Sequence, residues 1–292
     1  AGRSIALSTV MCGGRLVFAP PLVEPAEIVE LVHRHRIDLL CVVPTLLRGM
    51  LALAGKGGLL LPDLAILISV GAMLFPEEGR RVLARVSPNL INYVGSTGGG
   101  INTMLFAREL ERKPGSVGRP AFGTQIEIVD DRDRPLLRGE TGRLRVRCPN
   151  TCRGVYPPDP DDDTYFEGWH YPGDFALIDE DGYLFLQGRS SDIIIRGGSN
   201  VYAPEVERVL LACDGVREAA VIGVPNRVRD EDVVAFVVAD GRLDDPAILR
   251  HCRKHLSAYK MPSRIRHIAE LPRSSVGKIL KRKLVELPDA ED

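Results

Sequence analysis

The chain has 292 residues, with 38 Lys and Arg against 39 Asp and Glu, and 45% hydrophobic residues. Near-zero net charge with this apolar content excludes wholesale disorder, and the length predicts about two domains, each large enough for its own core. No apolar run approaches the roughly 20 residues that cross a bilayer; the longest, residues 65–74, is broken by Ser69 and Gly71.

The N-terminus lacks the charged, apolar and small-residue order of a signal peptide. It does not begin with Met, which fits a processed or cut product. The six cysteines are Cys12, Cys41, Cys148, Cys152, Cys213 and Cys252. Four sit among apolar residues, which predicts reduced core thiols and a cytoplasmic protein. Cys148 and Cys152 lack a second pair at metal-ligand spacing, so no metal centre is expected there.

Residues 27–37 place Ile28, Leu31, Val32 and His35 at i, i+3, i+4 and i+7, the period of an amphipathic helix. Short apolar runs follow at 39–43, 64–70 and 91–94, each closed by Pro or Gly. Helix alternating with buried strand predicts an α/β layer on a parallel sheet. After Pro114 the texture changes. Runs at 125–129, 143–147 and 183–187 read as strands between Gly, Pro and Asp turns, a β-rich unit. Residues 157–182 form an acidic stretch with nine carboxylates and no Lys or Arg.

A third texture begins near Gly188. A strand at 193–195 precedes a Gly-Gly turn, and a helix opening at Pro204 turns Val206, Val209, Leu210 and Cys213 to one face. Apolar strands at 219–224 and 233–238 follow. Pro246 then opens a helix with Ile248, Leu249, Cys252 and Leu256 inward. This predicts a compact α+β module of about a hundred residues. Between Arg250 and Lys283 there are eleven Lys or Arg and one acid, Glu270: a solvated face, or a surface that meets phosphates. With only Tyr259 for stacking in that stretch, nucleic acid is not expected as a partner.

Three segments carry more than generic signal. The first is Asn92-Tyr93-Val94-Gly95-Ser96-Thr97-Gly98-Gly99-Gly100, a Gly-rich loop at a strand end that can bring backbone N–H groups to a ligand. It is not a Walker loop, because the Lys-Ser/Thr ending is missing. The second runs through Gly168-Trp169, Gly173-Asp174, Gly182-Tyr183, Gly188-Arg189-Ser190-Ser191-Asp192, Gly197-Gly198-Ser199-Asn200-Val201 and Pro204-Glu205-Val206-Glu207. The third is Leu271-Pro272-Arg273-Ser274-Ser275-Val276-Gly277-Lys278-Ile279-Leu280.

In this order and spacing the three resemble the adenylate-forming superfamily: acyl-CoA synthetases, peptide-synthetase adenylation domains and luciferases. The resemblance spans essentially the whole chain. The join Gly115-Ser116-Val117-Gly118-Arg119-Pro120 is most similar to fatty-acid and aryl-acid CoA ligases. It implies residues 1–188 as the carboxyl-terminal part of a large AMP-binding domain, split into an α/β subdomain (1–110) and a β-rich subdomain (111–188). Residues 189–292 would form a small mobile domain.

The activity implied is a fatty-acid-type or other acid–CoA ligase. A carboxylate attacks the α-phosphate of ATP, and the thiol of CoA then displaces AMP. Gly71 and Ala72 match a loop lying against adenine, Tyr93 the aromatic that stacks on it, and Thr97 a residue near the α-phosphate. Asp174 matches the ribose-holding acid, and Arg189 reaches the same sugar. Ser191 falls at the hinge. Gly197 and Gly198 match glycines lining the CoA tunnel. Lys278 matches the catalytic Lys, a cation that lets a carboxylate approach a triphosphate. Residues 66–70 and Val94 are expected to line an apolar acid pocket.

The pattern breaks in two places. The Ser/Thr/Gly-rich phosphate loop of the family is absent, so the resemblance implies a missing N-terminal part and an inactive isolated chain. Gly98 stands where the family has the Glu that holds Mg²⁺, which weakens that site. Two other readings stay open: a non-catalytic relative that binds nucleotide, CoA or a protein, and an adenylation domain that loads a carrier protein.

Overall fold

The computed structural model describes residues 2–19, 24–55, 57–158, 163–189, 192–239, 243–274 and 279–287. It divides into two compact units, Ala1–Leu186 and Gln187–Asp292.

The first unit opens with α1 (Gly2–Met11), α2 (Pro25–His35), β1 (Leu39–Val42), α3 (Pro44–Leu53), β2 (Ile66–Val70), α4 (Pro76–Arg85) and β3 (Leu90–Ser96). Pro occupies the first turn of α2, α3 and α4, where its missing N–H costs no helical bond. In α2 and α4 a Glu at the third position reaches back to cap the entry: Glu27 accepts from the Glu24 N–H at 3.3 Å, and Glu78 from the Phe75 N–H at 3.0 Å. Arg36, left-handed at φ 48°, stops α2.

β1, β2 and β3 pair in parallel, with Val42 opposite Ser69 and Val70 opposite Tyr93. β4 (Gly100–Phe106) returns antiparallel to β3. α5 (Ala107–Leu110) then leads to β5 (Arg119–Pro120), which completes a sheet in the order β1-β2-β3-β4-β5. The core under α3 and α4 holds Leu47, Met50, Leu64, Leu67, Val82 and Leu90, all 1% exposed or less. Arg48 Nε donates to Glu78 at 2.5 Å and ties the two helices together.

The second sheet uses β6 (Gln125–Val129), β7 (Gly142–Arg147), β8 (Tyr165–Phe166), β9 (Trp169–His170), β10 (Asp174–Ile178) and β11 (Leu184–Arg189). Its order is β11-β10-β7-β9-β8, with β6 on the other side of β7. Buried Trp169 lies against two guanidinium groups, Arg145 at 4.6 Å and Arg147 at 4.4 Å from its ring. Tyr183 joins this sheet to the first. Its ring lies in the α3/α4 core, and its hydroxyl donates to Glu109 at 2.8 Å. A second tie runs through 116–118: Val117 N–H donates to the Leu184 carbonyl at 2.9 Å, and Leu184 N–H to that of Gly118 at 2.8 Å.

The second unit contains β12 (Ile193–Arg196), β13 (Ser199–Tyr202), α6 (Ala203–Leu211), β14 (Val216–Asn226), β15 (Asp230–Ala239), α7 (Asp245–His255), a 3₁₀ turn (Ala258–Lys260), β16 (Arg264–His267) and α8 (Lys281–Val285). β14 and β15 alternate strictly. Val221, Ala235 and Val237 pack on α6 and α7 with Val206, Leu210, Ile248 and Cys252. Ala220, Ile222, Val234 and Phe236 face the other way, onto Leu271 and Leu284. Covering both faces explains why these strands read as continuous apolar runs. Cys213 and Cys252 are core thiols, with burial pushing Cys252 up to about 11. Cys12, by contrast, is exposed, because α1 leaves Leu7, Val10 and Met11 uncovered as well.

Two outcomes follow from this packing. Gly118 has φ 99°, and a Cβ there would overlap the Met104 carbonyl, so Gly118→Ala should cost more than about 3 kcal/mol in a denaturant titration of the whole chain. A change under about 0.5 kcal/mol would contradict the tight crossing at this point. With a core on both sides of its sheet, 187–292 expressed alone should unfold cooperatively, as read by circular dichroism; a broad, featureless melt would count against it.

Candidate functional site

Parallel pairing leaves the carboxyl ends of β1, β2 and β3 on one edge of the sheet, the edge at which open α/β sheets take ligands. Gly71-Ala72 follows β2 directly and is exposed; Gly71 has φ 91°, a conformation that favours glycine. Thr97 follows β3 and is also exposed. These sequence-predicted residues therefore share one edge. Tyr93 lies one layer deeper. It is 8% exposed, and a Cβ at Gly95 would sit 2.8 Å from its ring. Burial first, then the Cys41 thiol, raises its hydroxyl pKa. The ring is a floor beneath Gly95 rather than an open platform. Of the expected acid-pocket lining, Leu67 is committed to the helix core.

The turn from Ser96 to Gly100 is fixed by its surroundings. Ser96 Oγ accepts from the Gly99 N–H at 2.9 Å. The Gly98 carbonyl accepts from the Cys152 N–H at 2.8 Å, and the Gly99 carbonyl from the Cys148 thiol at 3.2 Å. A Cβ on Gly98 would overlap the Tyr165 hydroxyl and lie 3.1 Å from His170 Cε1. Magnesium wants several oxygen ligands, carboxylates above all. Here residue 98 has no side chain, and no cluster of three His, Cys, Asp or Glu that could hold a metal ion occurs among the described residues. The turn therefore offers a divalent cation no carboxylate of its own.

Asp174 is the first residue of β10, half-buried, after Gly173 at φ 78°. Arg189 is the exposed last residue of β11. In the second unit, Gly197 and Gly198 form the two-residue turn between β12 and β13, with Arg196 paired to Ser199. Their φ values of 56° and 76° are those of a type I′ hairpin, which demands such residues by itself. A Cβ at either glycine would meet nothing within 4 Å.

Ser191 and Lys278 lie outside the described residues. The stem of the segment carrying Lys278 is described, and it is closed tightly. Arg273 and Ile279 form an antiparallel bridge, and the Leu280 N–H donates to the Pro272 carbonyl at 2.8 Å. Arg273 donates to Glu218 at 2.7 Å. Lys281 pairs with Glu207 at 2.7 Å, and Glu207 also accepts from the Val221 N–H at 2.8 Å. Lys260 is likewise bound to Glu205, so Lys260, Arg273 and Lys281 of the basic stretch are paired inside their own unit. Sequence reasoning assigned no role to Glu207, Glu218, Tyr165 or His170. For the two glutamates a signal existed, since each is an acid in a unit whose later part is rich in Lys and Arg.

Comparison with known proteins places this geometry. The family described as AMP-binding enzyme matches residues 1–156, and its C-terminal domain, AMP-binding_C, matches 205–278. The chain is 33% identical over 290 residues to a 2-succinylbenzoate--CoA ligase of Geobacillus kaustophilus, covering 98% of this chain and 58% of that protein. It is 41% identical over 178 residues to a long-chain-fatty-acid--CoA ligase of Salmonella typhimurium, covering 60% of this chain and 32% of that protein. The crystal structure of ATP-bound MatB from Rhodopseudomonas palustris superposes with a TM-score of 0.85 at 30% identity, over 97% of this chain and 56% of that one. The chain thus spans about half, or less, of the length of the relatives it matches. No helix among the described residues is long and apolar enough to cross a membrane. The chain belongs to the AMP-binding, adenylate-forming enzyme family, as a relative of the acyl-CoA ligases.

Proposed function

We propose that the chain is the carboxyl-terminal portion of an ATP-dependent acid–CoA ligase. The observation that carries this reading is the shared edge of the parallel sheet, where Gly71-Ala72 and Thr97 leave neighbouring strands in the order the family motifs require. In this reading Gly71 and Ala72 border the adenine, with Tyr93 as the floor of that end. Asp174 accepts from the ribose hydroxyls, and Arg189 donates to the same sugar. Thr97 stands at the α-phosphate.

The Lys278 ammonium offsets the repulsion between the incoming carboxylate and the phosphates, so that the carboxylate oxygen attacks phosphorus and pyrophosphate leaves. A CoA sulfur then attacks the acyl carbon and AMP leaves. Gly197 and Gly198 keep the path of the thin thiol arm free of side chains. Ser191 serves as the hinge between the two half-reactions. An aliphatic or aromatic acid suits the apolar surroundings of β2 and Val94. The cytoplasm, where ATP and CoA are found, is the proposed compartment.

A second reading, a nucleotide-binding relative without turnover, draws on Gly98 and its filled surroundings. Pyrophosphate exchange separates the two. The 292-residue chain alone should show no acid-dependent exchange. A protein that also carries the family's upstream phosphate loop should show it with at least one acid of a panel. In that protein Lys278→Ala should slow exchange by more than about a hundredfold while nucleotide binding persists. Absence of exchange with every acid would favour the binding relative, and exchange untouched by Lys278→Ala would remove that residue from catalysis.

A further inference from the structure

We propose that the cleft between the carboxyl-terminal ends of α3 and α4 is a phosphate-binding site for a small soluble ligand, with Arg81 and Arg85 as its donors. It lies away from the sheet edge that carries Gly71, Ala72 and Thr97. α3 starts at Pro44, just past the carboxyl end of β1, and α4 at Pro76, beyond that of β2. Both helices therefore run back along the sheet and finish at its opposite edge, where β2 and β3 begin. The cleft between their ends has a volume of about 520 Å³, within the range of small-ligand sites. Leu51, Ala54 and Ala84 supply its apolar lining.

Its charged lining is three guanidinium groups and one carboxylate, an excess of two positive charges. Arg80 is taken by Glu77, which accepts from its Nε at 3.1 Å. Arg85 donates through one amino nitrogen to the carbonyls of Ala54, at 3.1 Å, and Gly55, which fixes it against the end of α3. A guanidinium has five N–H groups, and the second amino group and the Nε of Arg85 make no hydrogen bond among the described residues. Arg81 is exposed and has neither a hydrogen bond nor an ion pair among the described residues.

Basic side chains in the last turns of a helix can serve only to bind the terminal carbonyls. Arg85 does so, but Arg81 binds none. The two stand four residues apart, one above the other on the same side of α4. Their planar forks match the oxygens of a phosphate, which accept from both at once. The apolar lining suits the carbon part of a small phosphorylated molecule, and a concave cleft holds such a ligand better than a flat bilayer surface does.

Isothermal titration of the 292-residue chain with inorganic pyrophosphate, at about 0.15 M salt, tests this. The expected dissociation constant is below about a millimolar. Arg81→Gln should weaken binding by more than about tenfold, and its thermal melt should match the parent, because Arg81 holds no other residue in place. Absence of binding at that salt reduces the cleft to a diffuse charge and overturns the proposal. An Arg81→Gln chain that binds as the parent does also overturns it, and so does one that melts lower. Vesicles of phosphatidylcholine and phosphatidic acid form the second arm: capture of the chain by vesicles, without pyrophosphate binding, overturns the soluble ligand. None of these outcomes touches the proposed function, which acid-dependent exchange tests separately.

Discussion

Parallel pairing of β1, β2 and β3 is the constraint on which the rest of the first unit depends. Parallel neighbours cannot be joined by a tight turn, so the chain must travel back along the sheet between them, and α3 and α4 make those return journeys. The helices bury Leu47, Met50 and Val82 against Leu67 and Leu90 and so close the core. The same pairing leaves all three carboxyl ends on one edge. The place where ligands can meet Gly71, Ala72 and Thr97 is thus a consequence of how the sheet is wound, before any chemistry is asked of it.

The second unit solves a different problem. A hairpin as long as β14–β15 has two faces to cover, and the strict alternation of its side chains assigns α6 and α7 to one and the segment around Leu271 and Leu284 to the other. That second cover brings the stem of the Lys278 segment against the sheet. Arg273 is bound to Glu218 on β14, and Lys281 to Glu207 on α6, so the stem is anchored at both ends by ion pairs, and Glu207 also accepts from the Val221 N–H. Arranged this way, the base of the segment is held within its own unit. Truncating either glutamate would remove one of these anchors and cost stability.

Periodicity made most of this legible in the sequence. The 3.6-residue pattern of α2 and α6, the apolar runs of β1, β2 and β3, and the Pro residues at helix starts all lie within short stretches of chain. Gly197-Gly198 was legible as a turn, and the β12–β13 register supplies a purely conformational reason for both glycines. Tyr165 and His170 were not legible. Their partner Gly98 lies far away in the sequence, and neither residue breaks a local pattern. Cysteine burial was half legible: four core thiols are expected from apolar neighbours in the sequence, yet Cys213 and Cys252 are the two that are buried, and Cys12 at the end of α1 is exposed beside Val10 and Met11. Long-range contact, rather than local propensity, decides burial at each of these positions.

The Gly98 turn is shaped by residues distant in the sequence. Tyr165 occupies the space that a side chain at residue 98 would need, and His170 packs over Gly99, so three segments meet at the end of β3. A glutamate at residue 98 would collide with the phenol, and removing the phenol would leave the imidazole without its stacking partner. What fits at this turn is set by side chains that approach from the second sheet, and not by the loop that carries the motif alone.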